Sequence, residues 1–131
     1  MKCTIMILLA ALLCLTGCSA EEKTMYHQIP QEDAKQMMAR DDGHIIVDVR
    51  RQDEYDAGHI PGAILVPNES IGEEQPEQLP DKDQIILIYC RSGRRSKEAS
   101  QKLSDLGYTH VYEFGGIIDW GGELMTEEPL G

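Results

Sequence analysis

Apolar and polar positions alternate along this chain in blocks that predict strands and helices in turn. Residues 26–29 read as a short first strand. Residues 30–40 set Ala34, Met37 and Met38 on one face of a helix that Pro30 opens and Gly43 stops. HIIVDV, residues 44–49, is almost continuously apolar, the pattern of a strand covered on both faces. Residues 53–57 predict a helical turn ending at Gly58, Pro61-Gly62 a reverse turn, and residues 63–66 a brief strand. NESIGEEQPEQLPDKD, residues 68–83, is acidic and broken by prolines, and reads as a surface connection with a single helical turn. QIILIY, residues 84–89, is the strongest strand pattern and suits the centre of a sheet. Residues 96–106 turn Ala99, Leu103 and Leu106 to one side of a helix capped by Gly107. Residues 110–114 form the last predicted strand, Gly115-Gly116 a turn, and residues 117–120 a final short helix. Apolar strands alternating with helices predict an α/β sandwich around a mainly parallel sheet.

The amino end follows a different pattern. Lys2 precedes an unbroken apolar run over residues 5–15, too short for a membrane span of about 20 residues but suited to a signal peptide. The run closes on Leu15-Thr16-Gly17-Cys18, which resembles a bacterial lipobox. The resemblance implies a signal peptide over residues 1–17, a lipidated Cys18 followed by a short tether to residue 24, and a single domain over residues 25–131. It places that domain outside the cytoplasm, held at a membrane by its acyl chains.

Charge and cysteine count sharpen this picture. The chain carries 12 basic and 23 acidic residues, a formal net charge of −11. Such a balance argues against nucleic acid as a partner and against adhesion to anionic head groups, which leaves the lipid itself as the anchor. With Cys3 and Cys14 lost in the signal and Cys18 lipidated, Cys90 is the one free thiol of the mature chain. Exported proteins commonly use cysteines in pairs, so an unpaired thiol there is either buried and inert or chemically active.

The surroundings of Cys90 favour chemistry. In IYCRSGRRSKEAS, residues 88–100, an acidic protein gathers Arg91, Arg94, Arg95 and Lys97 around one thiol. Cys90 follows a buried strand and precedes a helix, the edge where ligands bind in open α/β sheets. The loop Arg91-Ser92-Gly93-Arg94-Arg95, ahead of Ser96, is short enough to turn backbone N–H groups inward as an anion nest, and the helix end adds partial positive charge. All three influences favour thiolate over thiol. Cysteine phosphatases and the related arsenate reductases use a Cys-x5-Arg loop; counted from Cys90, that arginine would fall on Ser96. Here Arg95 gives Cys-x4-Arg, a smaller cradle better matched to one sulfur atom than to a phosphate group.

CRSGRRS resembles the active loop of the rhodanese family of sulfurtransferases. IIVDVRRQDEYDAGHIPGAILVP, residues 45–67, resembles the family's upstream segment, and VYEFGGIIDW, residues 111–120, its closing strand, Gly-Gly turn and tryptophan. The three blocks occur in order across nearly all of residues 25–125. The resemblance implies a three-layer sandwich on a central, mainly parallel five-stranded sheet with helices on both faces. It implies a Cys90 thiolate that takes the outer sulfur of a small anionic donor such as thiosulfate, becomes a persulfide, and passes that sulfur to cyanide, a thiol or a protein. Arg91, Arg94 and Arg95 are then candidates for gripping the donor, with Ser92, Gly93 and Ser96 completing the loop, and no metal or cofactor is required. A non-catalytic binding or sulfur-carrier module of the same fold is the alternative.

Other residues carry plainer expectations. Asp48 and Arg50 share one side of their strand and would brace the loop or pair with each other. His59, in GHIPG, reads as a structural histidine holding the turn, Glu54 and Tyr55 as capping and packing residues, and Trp120 as core. The remaining histidines are scattered and do not resemble a zinc site.

Overall fold

The computed structural model describes residues 25–126. The signal, Cys18 and tether expected at the amino end lie outside them. Five strands form one sheet in the order β1-β5-β4-β2-β3, and every neighbouring pair is parallel. They are β1 (His27–Gln28), β2 (Ile45–Asp48), β3 (Ile64–Leu65), β4 (Ile86–Cys90) and β5 (Val111–Gly116). β4 occupies the centre and is buried along its whole length, as its apolar run requires.

Helices cover both faces, so the domain has the three layers that an apolar parallel sheet demands. Helix α3 (Arg94–Asp105) lays Ala99 and Leu103 against Val47, Val49, Ile86, Ile88 and Val111. On the opposite face, α1 (Gln31–Met38) contributes Ala34 to a second core with Ile46, Leu87, Tyr89, Phe114 and Trp120. Alternation along β4 thus sends Ile86, Ile88 and Cys90 to the α3 side, and Leu87 and Tyr89 to the other. A third helix, α2 (Gln52–Ala57), follows β2.

Three expectations need correction. The acidic connection is not purely a surface segment: after a 3₁₀ turn at Asn68–Ser70, Ile71 and Leu79 are buried in the α3-side core, and the Tyr108 hydroxyl donates to the Leu79 carbonyl at 2.5 Å. Its apolar residues are sparse, but they cap the core that charged neighbours leave open. Gly115-Gly116 is not a turn either; β5 runs on to Gly116, which pairs with Cys90 across a register shift. Finally, the helix after Cys90 begins at Arg94, two residues earlier than expected.

Candidate active site

The early helix start changes the loop. Cys90 is the last residue of β4, and only Arg91, Ser92 and Gly93 separate it from α3. Gly93 makes this abrupt junction possible. It sits at φ +111°, a left-handed conformation costly for any residue with a Cβ. Arg94 and Arg95 are sound helix formers and fill the first turn. Ser96, the expected start of the helix, stands in its first turn with its hydroxyl turned into the protein.

That inward turn builds the thiol's surroundings. Cys90 is 1% exposed. The Gly93 N–H donates to its Sγ at 3.0 Å. Ser96 Oγ lies 3.4 Å from the same sulfur, placed to accept from the thiol, and its own proton has acceptors in the Gly93 carbonyl at 2.9 Å and Glu113 Oε1 at 2.7 Å. Glu113 is 3% exposed and also accepts from the Gly115 N–H at 2.8 Å. The loop therefore supplies one N–H directly to the sulfur, while a serine links the sulfur to a buried carboxylate.

Gly116 closes the arrangement from β5. A Cβ there would collide with the Arg91 carbonyl oxygen and stand 2.6 Å from Ser92 Cα. The Ile118 N–H donates to that same Arg91 carbonyl at 3.3 Å. The cysteine loop is thus seated directly on the backbone of its neighbouring strand.

The cations predicted to converge on the thiol are largely engaged elsewhere. Arg94 points to solvent and pairs with Glu98 at 3.0 Å. Arg95 is mostly buried and makes a two-pronged pair with Glu54, at 2.6 and 2.9 Å. These hydrogen bonds hold the Glu54 carboxyl down at about 2 against an ordinary 4.5, and raise the Arg95 guanidinium, to which the nearby Cys90 also contributes. Of the two arginines, Arg95 is therefore the one turned into the protein. Arg91, Ser92 and Lys97 are exposed, with Ser92 and Lys97 on the rim of a cleft of about 430 Å³ that reaches Glu113.

Asp48 and Arg50 point to the opposite side of the sheet from Cys90. Asp48 is fully buried and grips Arg50 through Nε and Nη2, at 2.8–3.1 Å; Arg50 Nη2 in turn donates to the Gly58 carbonyl at 2.6 Å. The Tyr89 hydroxyl donates to Asp48 at 2.7 Å and accepts the Ile60 N–H at 3.0 Å. Burial, followed by the Asp48 charge, pushes the ionisation of Tyr89 far upward, so its hydroxyl keeps its proton. The pair braces the turn after α2 and the residue before Cys90, not the cysteine loop itself. His59 belongs to the same turn, its Nδ1 3.0 Å from the Tyr55 carbonyl and its ring stacked on Tyr55. Trp120 is buried against Phe114 on this side, beside a cleft of about 640 Å³ that Cys90 does not line.

Glu113 is the residue sequence reasoning passed over. A lone glutamate near a strand end suggests solvent, yet alternation puts it on the same face as the buried Val111, and that parity was its signal.

The site is thus a buried cysteine at the carboxyl edge of a parallel sheet, seated in a tight loop that opens a helix. The rhodanese-like domain model matches residues 30–123, and the chain belongs to that family. Thiosulfate sulfurtransferase PspE of Escherichia coli (strain K12) is 40% identical over 73 residues, covering 56% of this chain and 70% of its own. The putative sulfur carrier protein YrkF of Bacillus subtilis (strain 168) is 34% identical, over 80% of this chain and 56% of its own. The tRNA uridine(34) hydroxylase of Pectobacterium atrosepticum is 35% identical over 76% of this chain, which spans only 30% of that longer protein. Among solved structures, a rhodanese-like domain protein from Staphylococcus aureus has a TM-score of 0.66 at 31% identity, covering 78% of this chain and 99% of that one.

Proposed function

We propose that this protein is a sulfurtransferase that carries sulfane sulfur as a persulfide on Cys90. The observation that carries the reading is the Gly93 N–H aimed at Cys90 Sγ from 3.0 Å, at the carboxyl edge of the central strand. An N–H so placed can donate to the sulfur that Cys90 carries through the cycle. The Cys90 thiolate attacks the outer sulfur of the donor; a new S–S bond forms, the donor's S–S bond breaks, and its electron pair leaves on sulfite when the donor is thiosulfate. An acceptor nucleophile then attacks the outer persulfide sulfur and releases the Cys90 thiolate. The likeness to PspE, named as a thiosulfate sulfurtransferase, supports this reading. A three-residue loop, with Arg95 committed to Glu54, favours a small guest over a phosphate group.

A stoichiometric sulfur carrier is the second reading, favoured by the likeness to YrkF. The lipobox-like Leu15-Thr16-Gly17-Cys18 supports export and anchoring through Cys18, with acceptors then met outside the cytoplasm.

The test is intact mass of the reduced protein, residues 19–131, after addition of thiosulfate, with Cys90→Ser alongside. The parent should gain one sulfur, cyanide should remove it as thiocyanate over many turnovers, and the variant should gain none. Gain without turnover would favour the carrier. No gain by the parent would overturn the thiosulfate reading. Radiolabelled fatty acid incorporated by the full chain, and lost in Cys18→Ala, tests the anchor separately.

A further inference from the structure

The charge around Cys90 differs from what its sequence advertises. Arg94 is paired with Glu98 and Arg95 with Glu54, so both contribute nearly neutral pairs. Lys97 and Asp119 stand on the rim of the cleft beside the loop, and Arg91, next to Cys90 in the chain, is exposed. Glu113 is 3% exposed and has no cation partner among the described residues; its hydrogen bonds come from the Ser96 hydroxyl and the Gly115 N–H. Contacts of 2.7 Å to Ser96 and 3.4 Å from Ser96 to the sulfur place the Glu113 carboxylate within about 6 Å of Cys90 Sγ, a range at which charges couple strongly.

A donor that brings two negative charges to this sulfur meets the carboxylate twice over. A donor bringing one charge meets it once. On the sulfurtransferase reading, we propose that Glu113 sets the donor preference of Cys90: it disfavours the thiosulfate dianion and favours sulfane donors with at most one negative charge at the reacting end, such as organic persulfides and thiosulfonates. The loading step is the same for both classes. The Cys90 thiolate bonds to the sulfane sulfur, and the donor's S–S bond breaks with its electron pair on the leaving group, sulfite from thiosulfate or methanesulfinate from methanethiosulfonate. Only the charge near Glu113 differs. Ser96 fixes the geometry by donating its hydroxyl proton to the carboxylate and leaving its oxygen toward the sulfur.

The experiment compares kcat/KM for thiosulfate and for methanethiosulfonate, with cyanide as acceptor, in the parent, Glu113→Gln, Glu113→Asn and Ser96→Ala. Both amides keep a polar group at the position and remove the charge; having two guards against one failing to fold. The amides should raise the thiosulfate-to-methanethiosulfonate ratio about three- to tenfold, as expected for one unit of charge at this distance under partial solvent screening. Ser96→Ala keeps the charge, so both donors should slow together and the ratio should hold. An unchanged ratio in the amide variants would overturn the inference and leave Glu113 a purely geometric support. A parent that gains no sulfur from either donor would instead sink the sulfurtransferase reading, and the inference with it.

Discussion

Replacing Gly116 by alanine adds a single carbon to the back of the cysteine loop. The backbone of Gly116 is ordinary extended strand, so alanine brings no conformational strain of its own. The whole effect is steric. The new Cβ would stand 2.6 Å from Ser92 Cα and 2.5 Å from the Arg91 carbonyl carbon, where carbon–carbon contact begins near 3.4–3.5 Å. Neither obstacle is a flexible side-chain tip, so the loop backbone must retreat by about 0.8–1 Å. That shift would carry the Gly93 N–H away from its 3.0 Å contact with Cys90 Sγ. Overpacking of this size costs about 1–3 kcal/mol, a fall in Tm of roughly 5–20 °C for a domain near 100 residues. Displacing a reacting group by about 1 Å costs on the order of 10²-fold in rate. Thermal melts and the rate of persulfide formation by intact mass read the two effects, with Gly72→Ala, where a Cβ meets nothing within 4 Å, as control. A Gly116→Ala protein that loads sulfur at the parent's rate would refute the claim that contact with β5 holds the loop in register.

Two further predictions concern the supports. Tyr89→Phe strands the buried Ile60 N–H and takes one hydrogen bond from the buried Asp48 carboxylate, which keeps Arg50, and should cost about 1–3 kcal/mol in denaturant unfolding while the folded fraction loads sulfur normally, because Tyr89 faces away from the thiol. An unchanged midpoint would show the network to be dispensable. Glu54→Gln should be less stable than the parent at neutral pH by about 1–2 kcal/mol after solvent screening. The Glu54 carboxyl is depressed when folded, so its contribution is present above its ordinary 4.5 and is lost as pH falls toward about 2; the gap between the two proteins should close over that window. A gap independent of pH would mean the pair with Arg95 is not its source.

The sequence made the sheet readable because its strands are buried on both faces: HIIVDV and QIILIY admit few other interpretations. It also located Cys90 correctly at a strand's carboxyl end. The loop was harder, since Ser96 carries the usual chemistry of a helix cap, and only the three-dimensional partners Gly93 and Glu113 explain why its hydroxyl turns inward. The arginines were misleading for a related reason. Glu54 lies 41 residues from Arg95, so the pairing that occupies this cation is invisible to local spacing. Gly115-Gly116 looked like a turn because glycine is a strand breaker by propensity, whereas close approach of two backbones is what demands Gly116. Asp48 and Arg50 did pair as their alternation allowed, and parity alone would have shown that they share Tyr89's side.

With every strand running the same way, the sheet has a polarity. Residue 25 leads into β1 level with the start of β4, while Cys90 ends β4 opposite Gly116. A tether made through residues ahead of Met25 would grasp the domain at one pole and leave the sulfur at the other, about 16 Å further on at the rise of a parallel strand. Under the proposed anchoring, the edge of the sheet that carries Cys90 would be the one farther from the point of attachment.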